Sequence, residues 1–110
     1  MPATVVLVHG AWHGGWCFDP VVSLLTKAAI PTIALDLPGH GADPGPFGDL
    51  HDDAARVRES LDQLNNRVIL VGHSYGGAVI TEAGTHPAVG HLVYMCAFAL
   101  TRAKHAQPRR

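Results

Sequence analysis

Four short runs of apolar, largely β-branched residues stand out along the chain. They are Thr4–Val8, Thr32–Leu37, Arg67–Val71 and His91–Ala97. Each run is continuous rather than alternating, which is typical of strands buried on both faces of a parallel sheet. The pattern therefore predicts a mostly parallel sheet of about four strands.

Segments with the apolar spacing of helices separate these runs. They are Trp16–Ala29, Asp49–Leu64 and Tyr75–Thr85. The second of these carries acidic residues in its first turn, where the helix dipole favours them. The order β-α-β-α-β-α-β predicts an α/β fold with right-handed crossovers and helices on both faces of the sheet. Residues 38–48 are rich in glycine and proline, and their composition predicts a loop.

Composition narrows the class of protein. The chain has 110 residues, 47% hydrophobic and 15% charged, with a formal net charge of -1. This composition excludes a disordered chain and gives no electrostatic case for nucleic acid. No apolar stretch is long enough to span a bilayer, and no signal peptide is recognisable. Cys17 and Cys96 have neither disulfide-framework nor zinc spacing, so we predict free thiols in a cytoplasmic protein without nucleic-acid or membrane partners.

The sharpest chemical signal is the pattern G-x-S-x-G, formed by Gly72, His73, Ser74, Tyr75 and Gly76. A predicted strand leads into it and a small-residue helix leads out. A turn this tight strains the central residue and projects its hydroxyl into solvent, and side chains at the two glycine positions would collide across the turn. The pattern predicts a nucleophilic serine. The alternative is a plain glycine-rich turn with a helix-capping serine.

A second glycine-rich segment, residues 9–15 (HGAWHGG), follows the first predicted strand. Acyl transfer needs two backbone N–H groups aimed at the developing oxyanion. One usually comes from the residue after the nucleophile and the other from a loop after a neighbouring strand. Here these are the N–H groups of Tyr75 and Ala11. The alternative is a simple glycine-rich connector.

Together these segments resemble a known family. VLVHGAWHGGWCF, ALDLPGHG and VILVGHSYGG are similar in order and spacing to the α/β-hydrolase superfamily, especially the branch of bacterial esterases, plant methylesterases and hydroxynitrile lyases. The resemblance covers Thr4 to about Leu100. It implies a partial α/β-hydrolase fold, Ser74 as the nucleophile, an oxyanion hole at Ala11 and Tyr75, and a pocket shaped by His9 and Trp12. It also implies no metal and no organic cofactor.

The histidines have other interpretations. His73 lies beside the nucleophile, but adjacent residues on such a turn diverge, which favours a pocket wall over a base. His9 and His13 are four residues apart, yet His9 is predicted to leave a strand rather than lie on a helix. We therefore predict no metal site.

The chain departs from the family after Ser74. Family members are more than twice as long, and their triad order is Ser, then Asp or Glu, then His. The only acid after Ser74 is Glu82, on the helix that starts at the elbow, and the later histidines are badly placed: His86, His91 and His105. We therefore expect residues 1–100 to form the N-terminal portion of a hydrolase domain that lacks the acid and the histidine. Residues 101–110 are expected to be a basic, disordered tail.

Three function classes follow. The first is a carboxylic ester hydrolase that forms an acyl-enzyme at Ser74 with a small-molecule ester, and that is inactive or very weak as this chain. The second is a non-catalytic fragment, or half of a split enzyme. The third is a hydroxynitrile lyase, which ranks lower because the lyases also use a lysine beyond this chain. An uncovered last strand is further expected to promote self-association.

Overall fold

The fold is a parallel sheet with helices on both faces, as the sequence pattern predicts. A computed structural model describes residues 3–95 of the chain. Its strands are β1 (Thr4–Val8), β2 (Thr32–Ala34), β3 (Val68–His73) and β4 (Val89–Met95). They are parallel and lie in the order β2-β1-β3-β4. The helices are α1 (Asp19–Lys27), α2 (Leu50–Asp62) and α3 (Gly76–Ala83), and a short 3-10 turn, Gly15–Phe18, precedes α1.

The alternation of side chains along β1 divides the core into two parts. Val6 and Val8 pack with buried residues of α2 and α3 on one face of the sheet. Val5 and Leu7 face the other way and pack with Phe18 and the half-buried residues of α1. Because successive strand residues point to opposite faces, a continuous apolar strand needs a helix on each side.

Some element boundaries differ from those that the sequence predicts. β2 ends at Ala34 instead of Leu37, although the Leu35 N–H still donates to the Leu7 carbonyl at 3.1 Å. Beyond that bond the chain leaves the sheet, because Asp36 and the loop after it bond to the loop after β1. β4 begins earlier than predicted, at Val89, and its expected end at Ala97 lies outside the described residues.

The two faces of the sheet are unequally covered. Helix α1 has no fully buried residue, whereas α2 and α3 contribute many. On the face that α1 shares, Val93 and Met95 of β4 are 41% and 40% exposed. The α1 face therefore carries less of the core.

A buried histidine joins the loops that follow β1 and β2. His9 has no exposed surface, and its Nε2 accepts a hydrogen bond from the Leu37 N–H at 3.0 Å. The proton must then be on Nδ1, which donates to the Gly10 carbonyl at 2.7 Å. Burial lowers the pKa of His9 and favours this neutral form. Nearby, the Asp36 carboxylate accepts from the Gly15 N–H at 2.7 Å.

The loop 38–48 is fastened to helix α2. Arg56 donates to the Asp43 carboxylate at 2.6 Å and to the Asp36 carbonyl at 3.0 Å. This hydrogen bond from Arg56, together with two backbone N–H groups, lowers the pKa of Asp43 to about 2. Helix α2 itself begins at a capping box between Asp49 and Asp52. The loop and the start of α2 therefore form one connected wall.

The neutral form of His9 should make folding stability depend on pH. The pKa of His9 in the folded state lies below the unfolded value of about 6.5. The stability that His9 gives to the folded state is therefore fully present above pH 6.5 and is lost as the pH falls below that value. Each unit of pKa difference corresponds to about 1.4 kcal/mol. We expect urea unfolding between pH 7 and pH 5 to show this loss in the wild-type chain and a smaller loss in His9→Gln. The exposed His91→Gln serves as a control, and an unchanged pH dependence in His9→Gln would contradict the assignment.

Candidate active site

Ser74 occupies a strained turn between β3 and α3. Its φ is 57°, in the left-handed region that residues with a Cβ avoid. The Ser74 N–H donates to the Met95 carbonyl at 3.2 Å, and its own carbonyl accepts from the Gly77 N–H at 2.9 Å. Both backbone groups are thus held by neighbouring elements. The residue is exposed, and the turn presents its hydroxyl at the carboxyl edge of the sheet.

The two glycines of the pattern are required for different reasons. A Cβ on Gly72 would lie 2.5 Å from the Gly76 carbonyl oxygen, which is the collision across the turn that the pattern implied. A Cβ on Gly76 would instead overlap the carbonyl oxygen of Val8 in β1. Gly76 therefore allows α3 to begin directly against the neighbouring strand.

The loop after β1 lies beside Ser74. A Cβ on Gly10 would be 3.1 Å from the Ser74 Cβ, so the two backbones are close. The loop is held by the His13 ring, whose Nδ1 donates to the Ala11 carbonyl at 2.9 Å, and Trp12 adopts a left-handed φ of 65°. Within residues 3–95, the N–H groups of Ala11 and Tyr75 have no hydrogen-bond acceptor. These are the two donors that the sequence assigns to an oxyanion hole.

A cleft of about 240 Å³ opens beside these donors. It is lined by Ala11, Trp12, His40, Phe47, Gly48, Asp53 and Tyr75. The Trp12 and Phe47 rings meet edge to face, with centroids 5.8 Å apart, and are 81% and 60% exposed. The cleft therefore has an aromatic, accessible wall formed by the loop after β1 and the loop after β2.

The same cleft contains a buried carboxyl group that was not predicted as a site residue from the sequence. Asp53 of α2 is 2% exposed, and its Oδ2 accepts a 2.6 Å hydrogen bond from the Tyr75 hydroxyl. Burial raises the pKa of Asp53, and burial together with this hydrogen bond raises the pKa of Tyr75. The buried position of Asp53 could have been predicted from its spacing in the sequence. Asp53 follows Leu50 by three residues and precedes Val57 by four, which places it on the apolar face of the helix.

The three predicted pocket-wall residues have different surroundings in the structure. Trp12 lines the cleft, and it also lines a neighbouring cleft of about 290 Å³. His9 has no exposed surface and joins two loops instead of facing a cleft. His73 is half-buried, with its ring centroid 6.3 Å from that of His13.

The described part of the chain gives the Ser74 hydroxyl no hydrogen-bonded histidine or carboxylate. Glu82 is engaged with His51 at 3.0 Å, and His86 is paired with Asp62 at 2.8 Å. His105 lies outside the described residues. Within residues 3–95, no three potential metal ligands are grouped together, and no helix has the length and apolar character needed to cross a bilayer.

The contact between α3 and β1 can be tested directly. Gly76→Ala places a methyl group on the Val8 carbonyl oxygen, which the rigid strand cannot easily avoid. We expect the free energy of unfolding in urea to fall by about 2–3 kcal/mol. Gly45→Ala, in the exposed part of the loop 38–48, is the matched control and should change stability by less than about 0.5 kcal/mol. Equal effects of the two substitutions would refute the role given to Gly76.

Comparison with known proteins agrees with this geometry. The chain is 40% identical over 103 residues to a carbendazim hydrolyzing esterase of Nocardioides sp. (strain SG-4G), covering 87% of this chain and 42% of that protein. It is 40% identical over 83 residues to methylesterase 18 of Arabidopsis thaliana, covering 71% of this chain and 32% of that protein. The chain thus spans less than half the length of these relatives.

Solved structures and family models lead to the same result. The crystal structure of the methylesterase MES16 from Arabidopsis superposes with a TM-score of 0.82 at 31% identity, covering 89% of this chain and 44% of that one. A model of the alpha/beta hydrolase family matches residues 5–110. The chain belongs to the alpha/beta hydrolase family.

Proposed function

We propose that this chain carries the nucleophile and the oxyanion hole of a carboxylic ester hydrolase. The observation that supports the proposal most strongly is the strained, exposed Ser74 next to the unpaired N–H groups of Ala11 and Tyr75. The relatives named above are esterases, which favours ester hydrolysis within a family of many chemistries. Because the chain covers less than half of each relative, the activity of the whole protein is part of the proposal.

The proposed reaction proceeds through an acyl-enzyme. The Ser74 oxygen attacks the ester carbonyl carbon while its proton passes to a base, and the carbonyl oxygen becomes an oxyanion. Ala11 and Tyr75 donate their N–H groups to that oxyanion; the loss of one such donor typically costs about 3–4 kcal/mol of transition-state stabilisation. The intermediate expels the alcohol, which takes up the proton, and water later releases the acid from Ser74.

The base that this mechanism needs is not among the described residues that contact Ser74. We propose that the acid and histidine of the triad come from outside residues 3–95, and that the 110-residue chain alone reacts very weakly. A serine hydroxyl without a base is a poor nucleophile at neutral pH. An oxyanion hole without a triad can still give about 10³–10⁴-fold acceleration over water. A non-catalytic fragment would stay inactive with any partner chain. Half of a split enzyme would gain activity from a partner chain that supplies the acid and the histidine.

The nucleophile can be tested with a fluorophosphonate probe and a short p-nitrophenyl ester. We expect slow labelling of the wild-type chain and none of Ser74→Ala, with ester turnover at or near background. His73→Gln should label like the wild-type chain, because His73 is not assigned as a base. Labelling that persists in Ser74→Ala would overturn the nucleophile assignment. Rapid turnover would overturn the proposal of a missing base.

We propose in addition that the chain associates with itself through β4. Val93 and Met95, which are 41% and 40% exposed, lie on the α1 face of a strand that pairs only with β3 among the described residues, while Leu92, 38% exposed, points to the opposite face. Sedimentation velocity over a range of concentrations should show association in the wild-type chain. Val93→Lys should shift the chain toward monomer, while Leu24→Lys, on the exposed side of α1, should not. A wild-type chain that stays monomeric at all concentrations would exclude this contact.

A further inference from the structure

Asp53 has an arrangement that helix formation does not explain. It lies in the first turn of α2, but the helix cap is Asp49, whose carboxylate accepts from the Asp52 N–H at 2.8 Å. The Asp53 backbone N–H is already bonded to the Asp49 carbonyl at 3.0 Å. Its side chain makes no capping bond and is instead buried, at 2% exposure, against Tyr75.

The two oxygens of this carboxyl group have different surroundings. Oδ2 accepts the hydroxyl of Tyr75, the residue whose N–H is assigned to the oxyanion hole. Oδ1 is also buried, and it is the one buried side-chain polar atom in the described part of the chain without a hydrogen-bond partner. Buried acceptors are nearly always satisfied in folded proteins, so an unpartnered one requires an explanation.

The neighbours of Asp53 do not supply a donor for Oδ1. The Nδ1 of His40, which lines the same cleft, lies 2.9 Å from the Pro38 carbonyl, so this N–H is used there. His9 donates to Gly10. The remaining cleft wall around Asp53 is mostly apolar, and it includes the exposed rings of Trp12 and Phe47.

We propose that Asp53 selects the substrate: one carboxyl oxygen fixes Tyr75, and the other accepts a hydrogen bond from an N–H or O–H group on the apolar part of the ester. Ala11 and Tyr75, whose N–H groups are assigned to the oxyanion hole, line the same cleft as Asp53, so an ester held by those N–H groups would extend along the cleft toward Asp53. The inference rests on the proposed function, because it assigns this cleft to the ester. It narrows the substrates to small esters with a flat, apolar group that carries a donor.

A cleft of about 240 Å³ is slightly smaller than the usual range for ligand pockets, about 300–1,000 Å³. The aromatic wall of Trp12 and Phe47 fits a small ring system better than a flexible chain, because rings pack edge to face or offset against rings. A site that accepts a hydrogen bond from a ligand strongly rejects an analogue without the donor group. This discrimination is larger than that of an apolar pocket between two ligands of different size. The presence or absence of a donor is therefore the variable to test.

The test is a binding measurement with two molecules of the same shape, indole with its N–H and benzofuran with oxygen in that place. The 110-residue chain is labelled with ¹⁵N-tryptophan, and the side-chain signals of its two tryptophans are followed by NMR during titration. Trp16→Phe assigns the signal of Trp12. We expect indole to shift the Trp12 signal and to bind about tenfold more tightly than benzofuran. No reaction at Ser74 is needed, so failure of the esterase proposal and failure of this one are distinguishable.

Three variants separate Asp53 from its surroundings. Asp53→Leu removes both carboxyl oxygens, so this variant should bind indole and benzofuran with about equal affinity. Tyr75→Phe removes only the bond to Oδ2 and should retain the preference. Glu59→Gln, an exposed carboxylate on the same helix, should behave as the wild-type chain. Circular dichroism verifies that each variant is folded.

Several outcomes would overturn the proposal. Equal affinities of the wild-type chain for indole and benzofuran would show that Oδ1 accepts no hydrogen bond from the ligand. The absence of a shift in the Trp12 signal with either molecule would show that the cleft is not a binding site. A preference that survives in Asp53→Leu would assign the acceptor to another group. Loss of the preference in Tyr75→Phe would show that Tyr75, rather than the free carboxyl oxygen, contacts the ligand.

Discussion

The close approach of helix α3 to strand β1 is the contact on which the rest of the site depends. The first residue of α3 is Gly76, and there is no room for a side chain between it and the Val8 carbonyl oxygen. Because the helix starts so near the strand, the turn before it must be tight, and Ser74 takes a left-handed backbone conformation. The same approach sets Gly10 against Ser74, so backbone packing brings together the two segments to which the proposed oxyanion hole and nucleophile are assigned.

Polar side chains then order the loops at the carboxyl edge of the sheet. His9 bonds the loop after β1 to Leu37, and Asp36 bonds the loop after β2 to Gly15. These bonds run in opposite directions between the same two loops, so each loop limits the movement of the other. Arg56 extends the connection to α2 through Asp43. The loops that border the cleft are thereby joined to each other and to α2.

The fold and the tight turn at Ser74 could be predicted from the sequence because both follow from local rules. Continuous β-branched runs indicate a buried parallel sheet, and glycines on each side of a serine indicate a tight turn. The role of Gly76 was predicted only in part, since its constraint comes from Val8, a residue distant in the sequence. The same limitation applies to His9, for which a pocket position was expected although its bonding to Leu37 depends on how two loops meet. The importance of Asp53 was missed because a first-turn acid was attributed to the helix dipole, when its place on the apolar face mattered more.

The turn at Ser74 and one wall of the cleft are formed by different elements of the fold. The turn at Ser74 is held by β1, β3 and the start of α3, where Gly72 and Gly76 leave no room for a side chain. One wall of the cleft belongs to α2 and the loop 38–48, which are joined by Arg56 and Asp43, and α2 also packs against α3 and β1 through its buried apolar residues. A substitution at an exposed position of that loop, such as Phe47, therefore changes the surface of the cleft without altering the packing that holds the turn at Ser74.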